Sequence, residues 1–130
     1  MMATFPSIEW LENARVEVNR DSTLRKLGSC DVTMGIKAGS ATYAVVFEAF
    51  ECADVTQITE DDLRDLDFYI DMSKTAWLKF LRSLKGKQPQ SLDVLDLEKG
   101  VVKSFDAARK LTFLRYNQSI QTFFDLAVSA

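Results

Sequence analysis

The sequence contains no histidine among its 130 residues. This absence excludes catalytic triads that use histidine, zinc sites with imidazole ligands, and imidazole general bases. Any catalytic group would have to be a carboxylate, a phenol, a lysine or a thiol. The absence of histidine therefore restricts the catalytic chemistry that is open to this chain.

Cysteine is scarce, since only Cys30 and Cys52 are present. Two cysteines are too few for a disulfide framework, and we expect both to be small buried thiols. The opening residues 1–6 lack the charged and apolar regions of a signal peptide, and no apolar run approaches the roughly 18 residues of a membrane helix. These features predict a cytoplasmic protein with no stable membrane insertion.

Basic residues do not dominate the chain, which has a net charge of -3 and a pI near 5.0. An acidic balance argues against a nucleic-acid partner and against an electrostatic hold on anionic membranes. Glycine and proline are also few, and residues 85–90 form the only linker-like stretch. Because that stretch is too short to separate domains, we expect residues 1–130 to form a single domain.

The most informative stretch that is present, residues 67–84, changes its hydrophobic period without a break. In residues 67–72 the apolar side chains Phe68, Ile70 and Met72 alternate with polar or amphipathic ones. A period of two residues is typical of a half-buried strand. We therefore predict a strand that leads directly into the next element.

That next element is a helix with a serine at its start. Ser73 offers an N-cap oxygen, and Gly86 follows where a helix would end. The apolar residues between them recur at the i, i+3, i+4, i+7 spacing of an amphipathic helix. They are Trp77, Phe80, Leu81 and Leu84. A sheet with one apolar face thus feeds a helix with aromatic side chains, which makes either a packed core or a pocket for an apolar molecule.

The remaining pattern alternates helices and strands. Ser7 is placed to cap a first helix, and strands over 30–37 and 41–50 flank a short turn that predicts an antiparallel hairpin. Residues 53–58 predict a weaker third strand. Residues 91–99 fit either a helix or a strand.

The C-terminal part predicts an edge strand over 101–105 and a long helix that begins at Asp106, which is placed to cap it. Apolar residues at helical spacing approximate the buried stripe of that helix. They are Ala107, Leu111, Leu114, Ile120 or Phe124, and Ala127. Together the elements predict an α+β fold, with a single, mainly antiparallel sheet of about five strands and helices packed on one face.

Acidic side chains cluster between Glu60 and Asp71. Oxygen-rich loops bind Ca²⁺ or Mg²⁺, but the spacing here is not that of an EF-hand loop, and no glycine lies at a sharp turn. We interpret the cluster as a solvated turn that continues into the polar face of a strand.

The order of the elements resembles the sterol carrier protein family of the type-two fold. Those domains begin with a tryptophan-bearing helix, pass through an apolar hairpin, and then run from an acidic–apolar strand into a serine-capped helix. A last strand and a C-terminal helix complete them. The matching segments are 8–11, 32–36, 43–47, 67–73, 77–81 and, less sharply, 114–120.

The resemblance implies a non-catalytic domain that encloses an apolar cavity between sheet and helices. We accordingly expect a chain that is not an enzyme, with no catalytic residues, no metal and no cofactor. It implies binding or transfer of a hydrophobic small molecule, such as a lipid, a fatty acyl chain or a steroid-like compound. The apolar side chains that would line the cavity are Phe47, Phe50, Phe68, Ile70, Trp77, Phe80, Leu81, Leu111, Leu114 and Phe124.

Two other functions stay open at this point. One is an accessory subunit that covers a protein partner with an apolar surface, and a homodimer belongs to the same class. The other, less favoured, is a small enzyme of the ketosteroid-isomerase-like kind, with Asp71 as general base and Tyr69 as oxyanion donor. Both of those side chains are predicted to face away from Phe68 and Ile70, which counts against the enzyme.

Overall fold

A computed structural model describes residues 4–129 of the chain. Residues 1–3, on which the expectation about the signal peptide partly rests, and Ala130 lie outside the described residues. The helices are α1 (Ile8–Arg20), α2 (Thr23–Lys26), a 3₁₀ helix (Glu60–Asp65), α3 (Lys74–Ser83), α4 (Leu92–Lys99) and α5 (Ala107–Ser129). The strands are β1 (Val32–Ala38), β2 (Ala41–Glu48), β3 (Glu51–Gln57), β4 (Phe68–Met72) and β5 (Val102–Lys103).

The five strands form one sheet in the order β3-β2-β1-β4-β5. Three neighbouring pairs are antiparallel, and only β1 and β4 run parallel. The β1–β2 hairpin closes between Ala38 and Ala41, with Gly39 in the left-handed region at φ 64°. The α+β class, the single mainly antiparallel sheet and the hairpin are therefore confirmed.

One face of the sheet carries the main hydrophobic core. Met34, Ile36, Val45, Phe68 and Ile70 are fully buried there. The helices α1, α3 and α5 pack on this face, as the alternation of the strands predicts.

The opposite face carries a smaller cluster in which Leu63 and Leu66 lie over the sheet. A Cβ atom added at Gly35 would lie 2.6 Å from the Cβ of Tyr69 and 2.9 Å from side-chain carbons of both leucines. The segment around the 3₁₀ helix approaches β1 this closely because Gly35 has no side chain. The face with Tyr69 is thus covered by leucines of this segment rather than by an α-helix.

Three predicted caps are observed. The Oγ of Ser7 accepts a hydrogen bond from the Trp10 N–H at 3.1 Å, and the Oγ of Ser73 accepts one from the Ala76 N–H at 3.1 Å. An Oδ1 of Asp106 accepts from the Ala108 N–H at 2.9 Å. Each cap satisfies a main-chain donor that the first turn of a helix leaves without a partner.

One helix boundary differs from the expectation, and one ambiguity is resolved. The helix α3 ends at Ser83, before Gly86, and Gly86 does not take a left-handed conformation. Residues 91–99 form a helix rather than a strand, and this helix ends at Gly100 with φ 62°. A left-handed glycine at this position is the usual end of a helix.

The buried stripe predicted for α5 is wrong in the N-terminal half of the helix. Leu111 and Leu114 are 63% and 55% exposed, whereas Phe113 and Ile120 are fully buried. Two residues along an α-helix correspond to a rotation of about 200°, so burial of Phe113 turns Leu111 to solvent. The larger aromatic side chain gains more from burial and sets the rotation of the helix.

At one edge of the sheet, a side chain of α1 holds β3. The Asn19 amide donates to the Cys52 carbonyl at 2.9 Å and accepts from the Cys52 N–H at 2.8 Å. Cys52 and Cys30 are both free and buried, as predicted. Burial raises the pKa of each thiol to about 12, so both stay protonated and inert near neutral pH.

Candidate functional site

An apolar cleft of about 290 Å³ opens between α1, α3 and the C-terminal end of α5. It lies on the side of the sheet that carries the main core. The lining residues are Phe5, Trp10, Leu78, Leu81, Arg82, Lys85, Ala127 and Val128. We refer to this space as the helical cleft.

Aromatic rings in contact form the wall of the helical cleft. The Phe5 ring packs edge-on against Trp10, with centroids 5.0 Å apart, and lies 5.3 Å from Trp77. Trp77 is fully buried and contacts Phe80 and Phe124 at centroid distances of 6.1 and 5.6 Å. The wall is therefore continuous with the main core and is held in place before any ligand arrives.

Two cations stand at the edge of this apolar space. Arg82 lies in the last turn of α3, and Lys85 follows that helix; both are exposed. The other lining residues are aromatic or aliphatic. The arrangement suits a molecule that is mainly apolar and that tolerates or carries negative charge at one end.

The ten predicted ligand contacts divide into two groups. Seven lie in the main core, and three lie at the surface. The core group is Phe47, Phe68, Ile70, Trp77, Phe80, Leu81 and Phe124. The surface group is Phe50, Leu111 and Leu114, each more than half exposed. Only Leu81 lines the helical cleft, and the ligand role of all ten stays a prediction.

Sequence reasoning missed most of the residues that line the cleft. One signal was present, because Leu78, Leu81, Arg82 and Lys85 follow the i, i+3, i+4, i+7 spacing and form a second stripe beside the buried one. The contributions of Phe5, at the start, and Val128, near the end, carry no such local signal.

A second, smaller cleft of about 200 Å³ lies on the other flank of α3. Asp71, Lys79 and Lys99 bring charge to its lining. Asp71 forms an ion pair with Lys103 at 2.9 Å. The mixed polar lining makes this cleft a poorer site for an apolar molecule.

The two groups named for an isomerase-like enzyme do not face the aromatic core. Tyr69 packs with its ring 5.9 Å from that of Phe105, in the smaller cluster on the opposite face of the sheet. Asp71 is engaged by Lys103. Neither side chain is placed to act on a molecule in the helical cleft.

The acidic cluster is ordered by its own contacts. The Asp62 carboxylate accepts hydrogen bonds from the main-chain N–H and the hydroxyl of Thr59, each at 3.0 Å, and Glu60 forms an ion pair with Lys37. Within residues 4–129, no group of carboxylates and thiols is arranged to hold a metal ion.

Residues 4–129 thus define a class: a small α+β fold with one five-stranded sheet, helices on one face and an apolar cleft among them. No protein-family model matches the sequence, and no curated protein matches it. Among solved structures, the crystal structure of sterol carrier protein 2 matches with a TM-score of 0.69 at 13% identity, over 93% of this chain and 95% of that chain. The chain therefore has the fold of sterol carrier protein 2, which confirms the fold that the sequence predicted.

Within the described residues, every helix is too short or too polar to cross a membrane.

Proposed function

We propose that this chain binds and transfers a hydrophobic small molecule, of the lipid, fatty acyl or steroid-like kind, without catalysing a reaction. The observation that carries the proposal is the helical cleft, an apolar space of about 290 Å³. It lies within the fold of a protein that is named as a sterol carrier.

The size and lining of the cleft fit this role. Sites for small molecules have volumes of about 300–1,000 Å³, and the helical cleft lies at the lower end of that range. Binding would be driven by removal of apolar surface from water, at about 25 cal/mol per Å². A compact apolar group or part of an acyl chain therefore fits better than a large polar ligand.

Leu81 is a ligand contact predicted from the sequence, and it also lines the helical cleft. Trp77 stands directly behind Phe5, at a centroid distance of 5.3 Å. We propose that Leu81 contacts the ligand and that Trp77 supports the wall. The ligand would then lie at the helical end of the core.

The first experiment is native mass spectrometry of the gently purified protein, followed by organic extraction of anything bound. We expect one apolar molecule per chain, and its identity would give the ligand class. An empty protein that also fails to bind a fluorescent fatty-acid or sterol probe would contradict the proposal.

A matched pair of variants on α5 locates the site. Ala127→Trp places an indole in the helical cleft, whereas Ala108→Trp places the same side chain at an exposed position of the first turn. We expect Ala127→Trp to weaken probe binding by at least about tenfold, since filling the space removes the ligand's apolar contacts. Ala108→Trp should bind as the unaltered chain does. Equal affinities for the two variants would place the ligand outside the helical cleft.

A protein-interaction role is the second candidate, and one observation favours it. Leu111 and Leu114 lie one turn apart on α5 and are 63% and 55% exposed. Contiguous exposed apolar patches mark surfaces that another protein covers, and two neighbouring exposed leucines contribute to such a patch. Sedimentation velocity over a range of concentrations tests a homodimer, and Leu111→Ser should abolish any dimer that forms through this face.

A further inference from the structure

The helix α3 and the turn after it form a basic segment in an acidic protein. Residues 73–91 contain five cations and no acidic residue, although acids outnumber bases by 19 to 16 over the whole chain. The five cations are Lys74, Lys79, Arg82, Lys85 and Lys87. Negative charge is therefore concentrated elsewhere, and this segment has the opposite sign. We call residues 73–91 the basic segment.

The charge of the basic segment is directed to solvent. All five side chains are exposed. Other lysines hold an acidic partner, as Lys103 does with Asp71 at 2.9 Å and Lys110 with Asp96 at 3.2 Å. In the part of the chain that the structure describes, no ion pair or side-chain hydrogen bond engages the five cations. Cations without a partner create a local positive potential, whatever the net charge of the chain.

This potential lies at the mouth of the helical cleft. Arg82 and Lys85 belong to the basic segment and also line the cleft. Trp10 lines the same cleft and is partly exposed, and its indole N–H makes no hydrogen bond to the described part of the protein. A tryptophan with an apolar body and an open N–H is the side chain that is enriched where hydrocarbon meets polar headgroups.

The combination of charge and apolar surface selects the partner. A nucleic acid supplies negative charge, but it offers no hydrocarbon to an apolar cleft. A bilayer with anionic lipids supplies headgroup charge at its surface and acyl chains directly beneath. We propose that the basic segment docks on the anionic surface of a lipid bilayer, with the mouth of the helical cleft turned toward the bilayer. The proposal rests on the proposed function, since docking would bring the cleft to a source of its apolar ligand.

Vesicle co-sedimentation tests the docking directly. Vesicles of phosphatidylcholine and phosphatidylglycerol in equal parts should bind the protein, and vesicles of phosphatidylcholine alone should bind it weakly. Binding should fall as salt rises from about 0.1 M to about 1 M, because the Debye length shortens from about 10 Å to about 3 Å.

The decisive variant removes charge without touching the helical cleft. Lys74→Gln, Lys79→Gln and Lys87→Gln together take three cations from the basic segment, and none of these residues lines that cleft. Each lysine near an anionic surface strengthens binding about fivefold, so partitioning should weaken by about a hundredfold. The matched control replaces Arg20, Arg25 and Lys26, exposed cations at α2 and the end of α1, with glutamine. The control has the same net charge and should partition as the unaltered chain does.

Trp10 provides a second readout. Phosphatidylcholine with brominated acyl chains, mixed with phosphatidylglycerol, should quench the emission of Trp10 on binding. The fully buried Trp77 supplies a constant background. The Trp10→Phe variant should lose the quenching and keep most of the partitioning.

Three results would overturn the docking proposal. They are equal partitioning of the two triple variants, no preference for phosphatidylglycerol, and binding to polyglutamate without binding to vesicles; the last would assign the surface to an acidic protein. Affinity for a fluorescent probe in vesicle-free solution is measured on the same variants. If the probe binds and vesicles do not, docking fails and the proposed function stands. If vesicles bind and the probe does not, the proposed function fails instead.

Discussion

The indole N–H of Trp77 donates a hydrogen bond to the main-chain carbonyl of Lys37 at 2.8 Å. This bond joins α3 to β1, the central strand of the sheet. Trp77 is fully buried, so water does not replace the bond. Because Phe5 packs on Trp77, the same contact fixes the wall of the helical cleft relative to the sheet.

Replacement of Trp77 by phenylalanine should destabilise the protein by about 2–4 kcal/mol. The variant leaves the Lys37 carbonyl without this donor and creates unfilled volume in the core. Urea unfolding measures the loss. The control is Trp10→Phe, which should cost less than about 1 kcal/mol because Trp10 is partly exposed. Equal losses for the two variants would mean that the bond to Lys37 contributes little.

Alanine at Gly35 should destabilise the protein by about 3 kcal/mol. Its Cβ would lie 2.6 Å from the Tyr69 Cβ, a contact that only a shift of β1 from β4 or a movement of the leucines above would relieve. Gly86→Ala is the control, since the new Cβ would meet the Ser83 carbonyl at an ordinary 3.5 Å. Thermal unfolding of both variants measures the difference. A Gly35→Ala protein as stable as Gly86→Ala would contradict the close approach of Tyr69 and the two leucines to Gly35.

Neighbouring positions on α5 should respond very differently to truncation. Phe113 is fully buried and its ring lies 5.4 Å from that of Phe68, whereas Leu114 is 55% exposed. Phe113→Ala should cost about 3–5 kcal/mol and Leu114→Ala less than about 1 kcal/mol. If urea unfolding showed a larger loss for Leu114→Ala than for Phe113→Ala, the result would instead support the buried stripe that the sequence predicted for this helix.

Alkaline pH should unfold the protein partly through Cys52. Burial raises the pKa of this thiol from 9.0 to about 12, so the protonated thiol favours the folded state. Its contribution is complete below pH 9 and is lost as the pH rises toward 12. The free energy of unfolding should therefore fall less steeply over this range in Cys52→Ala than in the unaltered chain. Parallel curves would show that ionisation of Cys52 is not coupled to unfolding.

The predictions that the fold confirms rest on short-range sequence patterns. The signals for β4 and α3 depend on residues within one strand or one helical turn of each other. They are the strict alternation through Met72, the Ser73 cap and the spacing of Trp77, Phe80 and Leu81. Each local signal agreed with the others, and such consistency makes a segment readable from sequence.

The errors arose where local patterns were degenerate. Helix α5 has apolar side chains around most of its circumference, so its period left the buried side undecided between Leu111 and Phe113. The sheet decided it by packing Phe68 against Phe113. The parallel pairing of β1 with β4 likewise depends on strands more than thirty residues apart, such as Met34 opposite Phe68.

The helical cleft was missed for a similar reason, because it brings together the two ends of the chain. Phe5 and Val128 line the same space. The basic segment, in contrast, is visible in the sequence. The net charge of -3 does not reveal it, because that value averages over regions of opposite sign.

The two hydrogen bonds between the Asn19 side chain and the Cys52 main chain limit the pairing of further strands at the exposed edge of the sheet. The asparagine amide occupies both main-chain groups of Cys52 in β3, and β5, at the other border, is only two residues long. At Cys52 the two bonds interrupt the row of main-chain donors and acceptors that the outer edge of β3 offers to a foreign strand. We expect this interruption, together with the short β5, to hinder the addition of a foreign strand at either border.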